Sequence, residues 1–193
     1  MKTLIICFFL ILIFNKGFTQ SLSEASKKVK IAFEVLKNHP DSKPKQLAYL
    51  KVFPQNKQQF IEIFDPVDFS QLYSDSFQYI DAFIALAKDY PTDVIDKSIN
   101  IGKDLKWEAD AIGDLQRSIV KLGNQNIDIF SKEVNALPTI ETGHLIAFLA
   151  DVENHKAYPE YQQLIEALQR IGENKLAAKF IKARAFRERN NHH

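Results

Sequence analysis

The sequence contains very little sulfur. Cys7 is the only cysteine and Met1 the only methionine among 193 residues. A single cysteine cannot close a disulfide within the chain, so the fold has to be stabilised by an apolar core. Fifteen phenylalanines, six tyrosines and many leucine and isoleucine residues can supply that core. The residues after Cys7 also offer no cysteine nucleophile.

Glycine is scarce as well, with six residues scattered singly along the chain. No glycine-rich loop is present to hold a phosphate, and no Gly-x-Ser-x-Gly turn is present to expose a nucleophilic serine. Carboxylate pairs such as Asp110 with Asp114, or Asp93 with Asp96, have helical spacing, which is typical of a solvated helix face. A glycosidase pair would need one buried carboxyl group. We therefore expect a protein that is not an enzyme.

Only one long apolar run is present, the eleven residues Leu4–Phe14. Lys2 precedes it, and a polar stretch with the small residues Gly17 and Thr19 follows it. This order is that of a secretory signal peptide, and the run is too short for a stable membrane anchor. We predict a signal peptide over 1–19 with cleavage before Gln20. The mature protein would be periplasmic or secreted, with no stable membrane insertion.

Charge is balanced overall but unevenly distributed. The formal net charge of +1 argues against general nucleic-acid binding. Residues 20–61 carry +5, residues 62–114 carry −8 and residues 115–193 carry +2. Two interpretations stay open: ordinary variation among solvated helices, or an acidic middle region that attracts a cationic protein partner.

Apolar residues recur every three or four positions through most of the chain. The clearest stripes are Ile80, Phe83, Ile84 and Ala87; Leu115, Ile119 and Leu122; Leu164, Ile165, Leu168 and Ile171; and Leu176, Phe180, Ile181 and Ala185. This period predicts amphipathic helices, and no segment has the alternation and tight turn of a hairpin. The predicted helices span 22–38, 43–52, 56–64, 66–72, 75–89, 92–101, 104–122, 126–136, 140–154, 159–171 and 174–189.

Proline, glycine and capping residues indicate where the helices begin and end. We expect starts at Asp65-Pro66 and Pro91-Thr92, an N-cap at Thr139, and left-handed terminators at Gly123 and Gly172. Short connections predict sequential antiparallel packing. The prediction is one all-α domain over 20–193, with many short helices in an irregular stack or bundle and a frayed tail at 190–193.

The histidines do not indicate a metal site. His144, Asp151 and His155 share one face of a predicted helix, but the first and last lie more than roughly 15 Å apart at 1.5 Å per residue. One ion cannot bridge that distance. Glu141 with His144 forms only half of a di-iron motif. We expect neither a metal nor another cofactor.

The most distinctive string is Lys106-Trp107-Glu108-Ala109-Asp110-Ala111, which holds the only tryptophan. Trp107 could pack in the core with Ala111 and Leu115. The alternative is that Trp107, Glu108, Asp110 and Asp114 form a partner-binding surface, an aromatic anchor with a carboxylate rim. A second string, residues 179–189, predicts a basic amphipathic helix that either docks on the domain through Phe180 and Ile181 or contacts an anionic membrane.

Several strings of packing residues carry a family resemblance over residues 45–190. They are Phe53-Pro54, Phe60, Ile63-Phe64-Asp65, Leu72-Tyr73-Ser74, Tyr79-Ile80-Asp81-Ala82-Phe83 and Lys106-Trp107-Glu108-Ala109-Asp110-Ala111. In these strings the chain resembles small exported helical proteins of Bacteroidota, several of which are immunity proteins for antibacterial toxins. The resemblance implies an all-α periplasmic protein that binds and blocks a toxin. It implies no catalytic residues.

The sequence thus favours an exported, non-catalytic binding protein, with a periplasmic immunity protein as the first hypothesis. Its partner would be a protein, such as a cognate toxin, and it would need only a stable scaffold with a complementary surface. Two alternatives stay open. An envelope structural or adaptor protein would show a large apolar surface or self-association, and a small helical enzyme would show a polar cluster in a pocket.

Overall fold

The computed structural model describes residues 22–64, 71–106, 110–152 and 158–190. Within these ranges the chain forms ten α-helices and one 3₁₀ turn at Leu86–Lys88, and no described residue lies in a strand. The prediction of an all-α fold is confirmed. The helices are α1 (Glu24–Asn38), α2 (Lys43–Val52), α3 (Lys57–Phe64), α4 (Ser76–Ala85), α5 (Pro91–Gly102), α6 (Ala111–Gln125), α7 (Ile127–Ala136), α8 (Thr139–Leu149), α9 (Pro159–Arg170) and α10 (Asn174–Asn190).

Several sequence predictions lie outside the described residues. These are the signal peptide over 1–19 with cleavage before Gln20, the helix start at Asp65-Pro66, and the end of the frayed tail. Trp107, Glu108 and His155 also lie outside them. All of these stay predictions.

The helices form an irregular stack in which elements two apart along the chain pack together. This holds for α1 with α3, α3 with α5, α4 with α6, α5 with α7, α6 with α8, α7 with α9 and α8 with α10. Helix α6 lies at the centre, since it contacts α4, α5, α7, α8 and α9. Such stacking is characteristic of layered helical proteins rather than of four long helices around one axis.

The core contains a network of aromatic rings among the first four helices. The rings of Phe53 and Phe83 stack in parallel with centroids 3.9 Å apart, and those of Phe33 and Tyr79 lie 4.5 Å apart. The buried Tyr49 hydroxyl donates a hydrogen bond of 2.8 Å to the carbonyl oxygen of Tyr79. Each fully buried aromatic side chain contributes roughly 1.5–3 kcal/mol, so this network gives the fold stability that it cannot obtain from a disulfide.

The predicted apolar stripes account for most of the buried residues. The stripe of α6, formed by Leu115, Ile119 and Leu122, is fully buried, as predicted. Two stripe members are exposed instead: Ile171 follows the last turn of α9, and Ile181 lies on the outer face of α10. Phe180 therefore docks in the core, whereas the prediction that Ile181 docks beside it is wrong.

The predicted helix 104–122 is wrong at its beginning. Lys103 and Asp104 form a turn, and α6 starts only at Ala111, because Asp110 adopts φ 61° and ψ −121°, which no helical residue can have. The predicted helix 66–72 is also wrong at its end, where Gln71 and Leu72 are not helical.

Two predicted helix ends differ from the structure. Gly123 lies inside α6, because its missing side chain lets the rings and methyl groups of α7 and α9 approach the helix backbone. Thr139 is the first residue of α8 rather than its N-cap, and Pro138 occupies the cap position. Gly172 confirms its prediction, with φ +85° after the end of α9. Pro91 also confirms its prediction, as the first residue of α5.

No helix in the described part of the chain combines the length and apolarity needed to cross a membrane. The longest, α10, has 17 residues and carries lysine and arginine along its length.

Two helical glycines should respond in opposite ways to alanine. A Cβ on Gly123 would lie 3.0 Å from Leu164 Cδ1 and 3.2 Å from the ring of Phe130, and both neighbours are fully buried. We expect Gly123→Ala to lower the free energy of unfolding by about 1–3 kcal/mol through overpacking. Gly143 has open space around its Cβ position, so Gly143→Ala should raise that free energy by about 1 kcal/mol.

Urea denaturation of both variants measures the two effects under identical conditions. Equal stabilisation by both alanines would show that the neighbours of Gly123 move aside at little cost.

Candidate functional site

A cleft of about 440 Å³ lies beside the first two turns of α6, and we call it the α6 cleft. The start of α4 forms one wall, and the segments after α8 and before α9 form the other. The lining residues are Tyr73, Ser74, Ser76, Phe77, Asp110, Gly113, Asp114, Gln116, Arg117, Val152 and Tyr158.

The cleft continues along α6 into a smaller pocket of about 180 Å³. Both share Gln116, Arg117, Val152 and Tyr158, and the smaller pocket adds Val120, Lys121, Leu149, Glu160 and Tyr161. The combined surface has a polar, charged mouth at the start of α6 and a more apolar end near α9. This gradient suits an extended ligand segment better than a small ion.

Asp110 connects the two sides of the cleft mouth. Its carboxylate accepts a hydrogen bond from the Tyr73 hydroxyl, 37 positions earlier in the chain. This hydrogen bond, with smaller contributions from desolvation and from the negative charge of Asp110, raises the pKa of the Tyr73 phenol above its ordinary value. Tyr73 thus stays a neutral hydrogen-bond donor throughout the physiological pH range.

The backbone of Asp110 is strained. Among the described residues it is the only one other than glycine with positive φ, and its φ and ψ of 61° and −121° are favourable only for glycine. Such conformations cost on the order of 1–3 kcal/mol and are concentrated at functional sites. This backbone conformation places the Asp110 carboxylate at the cleft mouth and not on the surface of α6.

Asp114 begins a second chain of contacts. Its carboxylate forms an ion pair with Arg117, one helical turn later. The Arg117 guanidinium in turn lies over the ring of Tyr158, 5.8 Å from the ring centroid. Asp114 and Tyr158 thus hold Arg117 across the cleft, and the position of its charge is fixed before any ligand arrives.

Gln116 fixes the floor of the cleft. Its side chain is almost completely buried, and its amide nitrogen donates hydrogen bonds of 2.5 Å to the carbonyl oxygen of Phe148 and 2.9 Å to that of Asp151. The carbonyl oxygen of Phe148 also accepts a hydrogen bond of 3.1 Å from the Asp151 amide, so Gln116 is its second donor at the end of α8. The two Gln116 bonds fasten that helix end against α6.

The structure brings together two of the four predicted partner-binding residues. Asp110 and Asp114 both line the α6 cleft, whereas Trp107 and Glu108 lie outside the described residues. The prediction that Asp110 lies within a helix over 104–122 is wrong, because Asp110 precedes α6. The alternative that Trp107 packs in the core stays open. Ala111 and Leu115, the neighbours that it would have there, are both buried.

The residues considered for a metal do not converge. His144 is exposed on α8, and Asp151 pairs with Arg187 at 2.9 Å. In the described ranges no group of three or more histidine, cysteine, aspartate or glutamate side chains is placed to hold a metal ion.

Sequence reasoning did not select Tyr73, Phe77, Arg117 and Tyr158 as site residues. Arg117 could have been found, because it follows Asp114 at the three-residue spacing of a helical ion pair. The tyrosines gave no such signal, since their approach to the cleft depends on the packing of α4 and α9 against α6.

The described residues of the cleft carry groups that can recognise a ligand. Both described carboxylates at the mouth are engaged by protein donors, and the described residues that line the 440 Å³ cleft include no histidine or lysine. The cleft offers phenol groups, a fixed guanidinium and carboxylate oxygens that can accept further hydrogen bonds.

Comparison with known proteins does not add a family to this description. The chain matches no protein-family model, and no match was found among curated proteins or solved structures. Function is therefore argued from the cleft and its charges.

The strain at Asp110 can be measured with two substitutions that both remove the carboxylate. We expect the free energy of unfolding of Asp110→Gly to exceed that of Asp110→Ala by about 1 kcal/mol. The positive-φ conformation is costly for alanine, which has a Cβ, and this cost is larger than the stability that glycine loses through its greater unfolded-state entropy. Thermal or urea unfolding of the two variants measures this difference.

The matched control is the same pair at Asp81, an exposed residue within α4. There alanine should be the more stable of the two by about 1 kcal/mol, because the backbone is helical. The same order at both positions would mean that Asp110 carries no strain.

Proposed function

We propose that the protein is an exported, non-catalytic binding protein whose α6 cleft receives basic side chains of a protein partner. The observation that carries this proposal is the composition of the cleft mouth. It presents Asp110 and Asp114 beside tyrosine and arginine side chains that are already held in place.

Preorganised aromatic and arginine side chains are the residues that most often dominate binding energy at protein interfaces. Tyr73, Arg117 and Tyr158 are such residues. The hydrogen bond of Tyr73 to Asp110 and the position of Arg117 over the Tyr158 ring reduce the entropy that would be lost on binding. Phe77 adds apolar surface at the rim, where half of its side chain is exposed. Together these features support recognition of a protein surface.

The charge distribution supports a basic partner. Residues 62–114 carry −8, and this stretch includes Asp110 and Asp114. Complementary charge accelerates encounter between proteins, and its effect weakens as salt screens it over about 8 Å at physiological ionic strength.

Among binding functions, neutralisation of an antibacterial toxin fits these properties best. An immunity protein needs a stable scaffold and a complementary surface but no reactive group, and the sequence resembles exported Bacteroidota proteins that include such inhibitors. The toxin would present a basic cleft or loop to the acidic mouth. The interface should bury on the order of 1,600 Å² in total.

The test removes charge from the cleft without changing its shape. Asp110→Asn and Asp114→Asn preserve size, and asparagine tolerates positive φ better than most residues. Lysine would add strain at Asp110 and would repel Arg117 next to position 114. We expect the double variant to bind a toxin encoded by a neighbouring gene at least about tenfold more weakly, with most of the loss in the association rate at low salt.

The matched control is Glu62→Gln with Asp104→Asn, which removes two exposed carboxylates from the same acidic stretch outside the α6 cleft. Stopped-flow or surface-based kinetics over a salt series compares the two double variants. An equal loss of affinity in both double variants would show that the effect comes from the net charge of the protein and not from the α6 cleft. Absence of binding between the wild-type protein and any neighbouring toxin would reject the immunity function.

A further inference from the structure

Another concave surface lies between α8 and α10. This groove of about 400 Å³, which we call the α8–α10 groove, is lined by Thr139, Gly143, Ile146, Ala147, Lys179, Lys182, Ala183, Phe186 and Arg187. It shares no lining residue with the α6 cleft. Its floor is apolar, whereas its charged groups lie along α10.

Apolar side chains remain exposed at this groove. Phe186 is 57% exposed on its α10 wall. Ile140 is 71% exposed and lies three residues before Gly143, on the same side of α8. These are two of the most exposed large apolar side chains in the described ranges; Phe186 lines the groove, and Ile140 follows the lining residue Thr139.

The charged side chains among the described lining residues of the groove are all positive, namely Lys179, Lys182 and Arg187. Arg187 pairs with Asp151, but neither lysine forms an ion pair with a described residue. Glu141, the acidic residue in the first turn of α8, is engaged by Lys103 at 2.6 Å.

Gly143 is the second observation that points to an occupant. Gly102 and Gly123 are explained by side chains that pack within 3.4 Å of a Cβ at their positions, and Gly172 by its positive φ. Gly143 has neither explanation, because nothing lies within 4 Å of its Cβ position. A glycine inside an exposed helix lowers the stability of the protein. Where no neighbouring side chain requires the glycine, its missing side chain can allow another chain to approach the helix backbone closely.

We propose that the α8–α10 groove binds an acidic amphipathic segment of a partner protein. Apolar side chains of the segment lie over Gly143 between Ile140 and Phe186, and its carboxylates pair with Lys179 and Lys182. Charge complementarity selects an acidic partner. The concave floor favours a helix or strand that can enter the groove and contact its apolar side chains. A flat membrane surface would contact the lysines but not the floor. The proposal is independent of the α6 cleft, which has the opposite charge.

The test uses two fluorescein-labelled helical peptides of 16 residues with the same leucine face, one flanked by glutamate and the other by lysine. Fluorescence anisotropy of the purified protein should show saturable binding of the glutamate peptide and at least about tenfold weaker binding of the lysine peptide. Gly143→Leu fills the floor and should weaken the glutamate peptide by about tenfold or more. Gly143→Ala should have a much smaller effect, since one methyl group leaves most of the groove open.

The lysines are tested separately with Lys179→Gln and Lys182→Gln together, which should remove most of the salt dependence of binding. Lys132→Gln with Lys175→Gln is the matched control for two lost charges, because these lysines are exposed and do not line the groove. Circular dichroism checks each fold, and the exposed lysine pair decides the question if Gly143→Leu does not fold.

Three outcomes would overturn the proposal. The first is equal affinity for the two peptides, and the second is unchanged affinity in both groove variants. The third is that the wild-type protein binds anionic phosphatidylglycerol vesicles or dimerises, and that the groove variants lose this property but still bind the glutamate peptide.

Discussion

Burial of helix α6 is the constraint on which the other features depend. Nine of its fifteen residues are buried, and five other helices pack against it. A helix surrounded in this way has to be small where its neighbours approach most closely, which explains Gly123 beside Phe130 and Leu164. It also covers polar groups, and Gln116 donates hydrogen bonds to two carbonyl groups at the end of α8.

The α6 cleft follows from how this central helix begins. The first two turns of α6 have one face in the core, where Ala111, Ile112 and Leu115 are buried, and another face on the cleft between α4 and the segment before α9. On the cleft face, Asp114 and Arg117 contact each other. The site is thus formed where the core ends, and its side chains are positioned by elements that the core fixes.

The sequence was informative where a single helix decides the outcome. The stripe of Leu115, Ile119 and Leu122 identified the buried face of α6, and the absence of disulfide chemistry was evident from Cys7 alone. It was uninformative where distant residues decide. Every residue of the string around Asp110 is compatible with a helix. The contact between Asp110 and Tyr73, at the point where the predicted helix is interrupted, joins residues that are distant in the sequence. Gly123 resembled a helix end because a packing glycine and a terminating glycine look identical in sequence.

The contact between α6 and α9 closes a longer stretch of chain than most contacts of the stack. Most neighbouring helices lie one or two elements apart, but this pair encloses both α7 and α8, as α5 and α8 enclose α6 and α7. Its loop-closure entropy is correspondingly larger. The apolar end of the cleft is lined from both helices, with Val120 on one and Tyr161 on the other. A fragment that stops before α9 would retain the aromatic network of the first four helices but would lack a complete cleft.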